Sequence, residues 1–302
     1  MIVIGFDDYA GQCRSLATAL GVPLEFAQVR RFPDGESLVR VPASLPEETV
    51  LCRSLDGPNA KLVELMLAAR AARDIGARHL TLVAPYLCYM RQDAAFHPGE
   101  AVSQRIVGRF LADLFDCVVT VDPHLHRTHR LDAAVPARTA VALTAASAIG
   151  EFLRERAPDA FVLGPDSESG QWAAAVAVPG QLECAVCTKT RHGDHEVEIR
   201  LPAVALAGRR VVLVDDIAST GRTLAAAAAQ CLDRGASGVD AFVTHAILGG
   251  DAVAELRRAG VSELWSTDSV PHASNVLPLA GLIAEHLRKR GSDQHFSPFE
   301  DE

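Results

Sequence analysis

The chain has 302 residues, 49% of them hydrophobic and 5% aromatic, with a formal net charge of -9. That length suffices for two domains of ~150 residues, and the acidic balance argues against a nucleic-acid-binding face, which needs basic charge. No apolar stretch approaches the ~18 residues of a membrane span, and the opening MIVIGF has neither a basic leader nor a cleavage site, which argues against a signal peptide.

Strand-like and helical runs alternate along the chain. Strands are predicted at 1–6, 24–32, 49–55, 80–86, 117–122, 161–164, 182–189, 197–201, 211–214 and 239–248. Helices are predicted at 60–75, 101–114, 142–156, 171–178, 222–234, 251–259 and 279–289. Such alternation gives mostly parallel sheets flanked by helices. The polar stretch from Gly291 to Glu302 is expected to fray unless a neighbour holds it. VVTVDPH, ending at His124, closes a strand in the first half and VVLVDD closes one in the second, which suggests a duplicated domain with its join between 142 and 143.

The seven cysteines are dispersed, as in a reduced, cytoplasmic protein that uses them as small packing groups. Cys184 and Cys187 form a C-x-x-C pair, but three positions along a strand reverse the face, and no second pair completes a metal site.

The most informative stretch is VVLVDDIASTGRTL, 211–224. Its apolar run reads as a buried parallel strand. Asp215 and Asp216 at the strand's carboxyl end can accept hydrogen bonds from two vicinal sugar hydroxyls or hold a hydrated Mg2+. Ser219, Thr220, Gly221 and Thr223 form a turn and first helical turn that can seat a phosphate on backbone N–H groups and hydroxyls. Together they describe a ribose 5-phosphate site; the plainer alternative is an ordinary acidic strand-to-helix turn. The stretch resembles the phosphoribosyl pyrophosphate (PRPP) motif of the type I phosphoribosyltransferase fold.

Further segments narrow the resemblance. RFPDGES begins at Arg31, PYLCYMRQD at Pro85, VDPHLH at Val121, GPDSESGQW at Gly164 and KTRHGDHEVEI at Lys189. In this order and spacing they resemble the PRPP synthetases (ribose-phosphate pyrophosphokinases), and KTRHGDHEVEI resembles the archaeal-type branch. The resemblance implies two tandem type I phosphoribosyltransferase-like domains, each a mostly parallel sheet flanked by helices: 1–142 with the ATP-side contacts and 143–302 with the ribose 5-phosphate motif. It implies transfer of the pyrophosphoryl group of ATP to the C1 hydroxyl of ribose 5-phosphate, leaving AMP.

By the same resemblance, Lys189 and Arg191 are catalytic, stabilising the transferring group; the polar stretch that Gly193 and Asp194 begin is expected to form a mobile loop that closes over the triphosphate. Phe32, Asp34, Glu36, Arg91 and Gln92 bind ATP, and His124 and Asp166 hold Mg2+. The 31–37 loop reaches a neighbouring subunit, so the enzyme is a homo-oligomer, a dimer or a multiple of dimers. Taken alone, several of these segments have plainer readings: a solvated strand edge at Lys189, an ordinary turn at 32–36, a helix-start ion pair at Arg91. His124, His126 and His129 also leave room for a transition-metal site. Alternative functions are a phosphoribosyltransferase, a divergent pentose-phosphate kinase, or a non-catalytic nucleotide-binding paralogue. Arg222 and Glu168 depart from the family's usual residues and bear on substrate detail.

Overall fold

The computed structural model describes the backbone of residues 1–192 and 196–294, and the side chains of 1–188 and 199–289. The chain divides into two compact units: Met1–Leu143 with the C-terminal segment from Pro278, and Thr144–Leu277. The sequence reading puts the join one residue earlier and the C-terminal segment in the second domain. That segment instead packs against the first helix of the first unit, where the Arg288 guanidinium donates to the Ala19 carbonyl.

The first unit runs β1 (Ile2–Gly5), α1 (Ala10–Leu20), β2 (Leu24–Phe26), β3 (Gln28–Arg31), β4 (Ser37–Arg40), β5 (Glu48–Cys52), α2 (Pro58–Asp74), β6 (His79–Val83), α3 (Ser103–Ala112), β7 (Cys117–Val121), α4 (Leu131–Ala134) and β8 (Thr139–Leu143). Its parallel sheet has the order β2-β1-β5-β6-β7-β8. The strands β1 and β7 are buried throughout, as expected where helices cover both faces of a sheet.

The second unit runs α5 (Ala146–Arg156), β9 (Phe161–Gly164), α6 (Gly170–Gly180), β10 (Cys184–Val186), β11 (Thr188–His192), β12 (Glu196–Arg200), β13 (Arg210–Ala218), α7 (Arg222–Asp233), β14 (Gly238–Ala246), α8 (Ala252–Arg258), β15 (Val261–Thr267) and β16 (Asn275–Leu277). Its sheet order, β10-β9-β13-β14-β15-β16, repeats that of the first unit strand for strand. The chain then continues as α9 (Ala280–Gln294). The expected fraying therefore does not apply to 291–294, which continue the helix, and 295–302 lie outside the described residues.

Each unit also carries an antiparallel two-stranded ribbon inserted after its second strand: β3–β4 in the first, β11–β12 in the second. This is why the strands expected at 24–32 and 182–189 each split in two. Ala27 donates its N–H to Gly5 O at 2.9 Å and Cys187 donates to Gly164 O at 2.8 Å. Past those bonds the chain leaves the sheet and pairs with its own return strand. The helix expected at 142–156 begins only at Ala146, because Thr139–Leu143 pair with β7 as an edge strand. The helix α1 and the strands β4, β8, β15 and β16 are absent from the sequence reading, and β13 runs four residues past the expected end.

Candidate active site

In the second unit the decisive junction is β13–α7. The strand keeps parallel pairing with β14 as far as Ala218–Ala246, so Asp215 and Asp216 lie within the strand rather than just after it. Asp216 is buried, and the Asp215 carboxylate accepts the Asp216 N–H at 3.0 Å. Burial drives the Asp215 carboxyl well above the ordinary carboxylate range, with Asp216 and Asp166 adding to the rise.

Asp166 follows β9 in a tight turn. Its Oδ1 accepts the N–H groups of Glu168 and Ser169, both at 3.1 Å, and the Ser169 hydroxyl donates to Asp166 O at 2.6 Å. A Cβ on Gly164 would meet the Ser169 Oγ at 2.7 Å, so only glycine lets the turn close this tightly.

Beyond β13, Ser219 and Thr220 make the turn and Gly221 caps α7 with φ 73°. A side chain there is strained by the backbone and would meet Leu256 Cγ at 3.3 Å. Thr223 sits in the first helical turn, and Arg222 beside it is exposed. The N-cap Gly221 has no side chain to cap the helix, and the one side-chain contact described at this start is a long one, from the Arg222 N–H to Thr220 Oγ1 at 3.5 Å; a helix N-terminus of this kind suits an anion.

Lys189 and Arg191 lie on β11, in register with Ile199 and Val197 of β12. Their side chains, and the expected closing loop at Gly193 and Asp194, lie outside the described residues. The base of the ribbon is fixed: Ile199 is buried with Leu224 and Ala227 of α7, and Gln230 donates to Ile199 O at 2.7 Å. The arm bearing Lys189 and Arg191 is therefore anchored on α7, the helix that starts at the Ser219–Gly221 turn.

In the first unit, Phe32, Asp34 and Glu36 form the tip of the β3–β4 ribbon. Phe32 donates to Glu36 O at 2.8 Å, and Asp34 accepts the Glu36 N–H at 3.1 Å. Phe32 is 38% exposed, with the Arg30 guanidinium 5.5 Å from its ring centroid. Arg91 is exposed and Gln92 partly buried, on the loop after β6. His124, on the loop after β7, is also partly buried.

These last two loops are tied together by residues the sequence reading did not single out. Asp93 binds Arg127 through backbone and side chain, at 3.0 and 2.7 Å. Gln104, buried, donates to Met90 O at 3.0 Å and accepts from the Thr128 hydroxyl at 2.9 Å. Tyr89 and Asp122, shortly before Arg91 and His124, have φ 60° and 38°, the strained backbone that gathers at functional sites. An acid inside the MRQD run was the available signal for Asp93; a buried glutamine opening a helix offered none.

Among the described residues, no group of three or more His, Cys, Asp or Glu side chains is arranged to hold a metal ion. None of the seven cysteines forms a disulfide; Cys184 is exposed and Cys187 buried, its thiol pushed up to about 12 chiefly by burial. No helix among the described residues is long and apolar enough to cross a membrane.

Two parallel sheets, one with paired aspartates running into a glycine-capped helix, define an α/β protein of the type I phosphoribosyltransferase architecture, present twice. Residues 1–114 match the N-terminal domain of ribose phosphate pyrophosphokinase, and residues 186–286 match the phosphoribosyl synthetase-associated domain. The ribose-phosphate pyrophosphokinase of Methanopyrus kandleri is 36% identical, covering 94% of this chain and 98% of its own. That of Saccharolobus solfataricus is 34% identical, covering 89% and 93%. The chain belongs to the ribose-phosphate pyrophosphokinase family, on the archaeal-type side to which its sequence points. Its fold is that of the phosphoribosylpyrophosphate synthetase of Mycobacterium smegmatis, with TM-score 0.85 over 97% of this chain and 99% of the other, at 24% identity.

Proposed function

We infer that this chain is a ribose-phosphate diphosphokinase that moves the β,γ-pyrophosphoryl group of ATP to the C1 hydroxyl of ribose 5-phosphate, giving PRPP and AMP. The observation that carries the reading is the β13–α7 junction: paired carboxylates beside a helix start capped by a glycine of positive φ. In this reading Asp215 and Asp216 accept from the ribose hydroxyls. Ser219, Thr220, Gly221 and Thr223 surround the 5-phosphate with N–H and O–H donors.

Pyrophosphoryl transfer asks for in-line placement and neutralised oxygens more than for covalent help. Lys189 and Arg191 are assigned to the transferring group, where preorganised positive donors act on charge that develops in the transition state. Phe32 is assigned to the adenine ring, Asp34 and Glu36 to adenine or ribose donors, and Arg91 and Gln92 to ATP's phosphates and its adenine or ribose edge.

Mg2+ fits the donor set of the second unit. Asp166, Asp215 and Asp216 offer hard oxygen donors of the kind Mg2+ prefers, with the rest of its shell left to water and phosphate because they are not arranged as a three-ligand site. When bound, Mg2+ would neutralise phosphate oxygens and sharpen the electrophilic β-phosphorus. His124 keeps its metal-side role by resemblance alone. A homo-oligomer and a cytoplasmic location complete the reading; cysteines without disulfides suit a reducing compartment.

The test is to incubate the protein with ATP, ribose 5-phosphate and Mg2+ and to separate the nucleotides. AMP and PRPP in equal amounts support the reading. ADP would make the chain a simple pentose-phosphate kinase, and inactivity without ribose 5-phosphate consumption would leave it a binding protein.

A further inference from the structure

The repeat of topology lets the two units be compared position by position. Gly5 pairs with Cys52 in the first unit, and Leu163 with Leu213 in the second, so Val214 is level with Gly164. Aligning IVIG of β1 with FVLG of β9 puts Arg53 and Ser54 where the second unit has Asp215 and Asp216. Gly57, φ 57°, then precedes α2 as Gly221 precedes α7. The first unit thus keeps the strand–turn–helix order of that cradle, with a turn two residues shorter and a cation where the second unit has its first acid.

What fills that cradle is an ion-paired network. Arg53, 4% exposed, lies 4.3 Å from the centroid of the Phe6 ring. Its Nε donates to both Asp8 oxygens at 3.1 Å, and its Nη2 donates to Glu64 Oε2 at 2.7 Å. Glu64, on α2, is fully buried. Its second oxygen, Oε1, accepts from Arg31 Nε at 3.3 Å, Arg31 Nη2 at 3.2 Å and Ser37 Oγ at 3.1 Å. Burial works against the Glu64 charge, but Arg53, Arg31 and Ser37 more than offset it and hold the carboxyl below its ordinary range.

Arg31 and Ser37 are register partners at the end of β3 and the start of β4. They flank the Phe32–Glu36 tip on either side. A single buried carboxylate oxygen therefore holds both stems of the loop, and the opposite oxygen is locked to the sheet through Arg53.

We propose that Glu64 is a positioning residue for nucleotide binding, clamping both ends of the Phe32–Glu36 loop so that its side chains meet ATP already ordered. The proposal rests on the reading of that loop as an ATP contact. Its physical basis is that ordering a loop before binding removes a cost otherwise charged against affinity.

The experiment measures kcat, the KM values for ATP and for ribose 5-phosphate, and Tm in Ser37→Ala, Glu64→Gln and Phe32→Ala. Ser37→Ala removes one tie and leaves the Arg53–Glu64 pair in place, so it remains informative where Glu64→Gln fails to fold. The expected result is a KM for ATP raised about 2–5-fold in Ser37→Ala and about 10-fold in Glu64→Gln, with KM for ribose 5-phosphate unchanged. A lower Tm and less active protein with both KM values unchanged would mean a purely structural role and overturns the proposal. If Phe32→Ala raises the KM for ATP while the other two do not, the clamp is wrong and the loop reading stands. If Phe32→Ala leaves it unchanged as well, the loop reading falls and the clamp with it.

Discussion

Asp93 grips Arg127 twice, taking its backbone N–H at 3.0 Å and its Nη1 at 2.7 Å on separate carboxylate oxygens. The pair joins the loop of Arg91 and Gln92 to the loop of His124. Asp93 and Arg127 are 34 positions apart in sequence; this pair, with the Gln104 contacts to Met90 and Thr128, joins the two loops.

Asp93→Asn keeps the shape and removes the charge. The expected outcome is a fall in kcat/KM for ATP of about 10-fold, the scale of losing one charge-assisted hydrogen bond, with little change for ribose 5-phosphate. Burial opposes the Asp93 charge, but Arg127 holds its carboxyl below the ordinary range. Its contribution to stability is therefore complete above about pH 4 and disappears as pH falls through the lowered folded value. Thermal melts of wild type and variant should converge in acid and separate toward neutrality.

Asp215 behaves in the opposite sense. Its carboxyl is raised by burial, Asp216 and Asp166, so the folded protein holds that proton more tightly than the unfolded chain. The stabilisation is full below about pH 4 and is lost as pH rises toward the raised folded value. Asp215→Asn should raise the Tm of the metal-free protein at pH 7 while cutting turnover by at least ~100-fold. A variant that melts below wild type at pH 7 would contradict the account of three crowded carboxylates.

Gly221→Ala addresses the turn proposed to seat the 5-phosphate. The positive φ and the Leu256 contact at 3.3 Å both oppose a side chain. The expected cost is about 1–2 kcal/mol of stability, together with a raised KM for ribose 5-phosphate and an unchanged KM for ATP, measured by melts and steady-state kinetics.

The reach of the sequence reading follows from physical locality. The β13–α7 junction was legible because its strand, acids, hydroxyls and glycine are contiguous. Both inserted ribbons were partly hidden: Leu24–Phe26 and Gln28–Arg31 read as one apolar-alternating run, and only the Ala27–Gly5 hydrogen bond shows where the sheet ends. Thr139–Leu143, alanine-rich and half-buried, reads equally as a helix start or an edge strand. The packing of α9 on α1 depends on contacts across the length of the chain, which no local pattern encodes. Glu64 was overlooked because an acid within LVELML reads as a solvated helix position; burial at 0% identifies it as the hub of the first unit's network.

Lys189→Ala tests the arm. The ribbon base is held by Ile199 and Gln230, so the substitution should leave the fold intact. Turnover should fall by about 10²–10⁴ with modest change in either KM, as expected for a donor that acts on the transition state. Stopped assays of AMP formation at saturating substrates decide this.

The most direct measurement uses ATP labelled with 32P at the β-phosphorus, incubated with ribose 5-phosphate, Mg2+ and the protein. The account requires the label to move to PRPP, on the phosphorus bonded to the C1 oxygen, as unlabelled AMP accumulates. Label retained in ADP, with only the γ-phosphoryl group transferred, would contradict it.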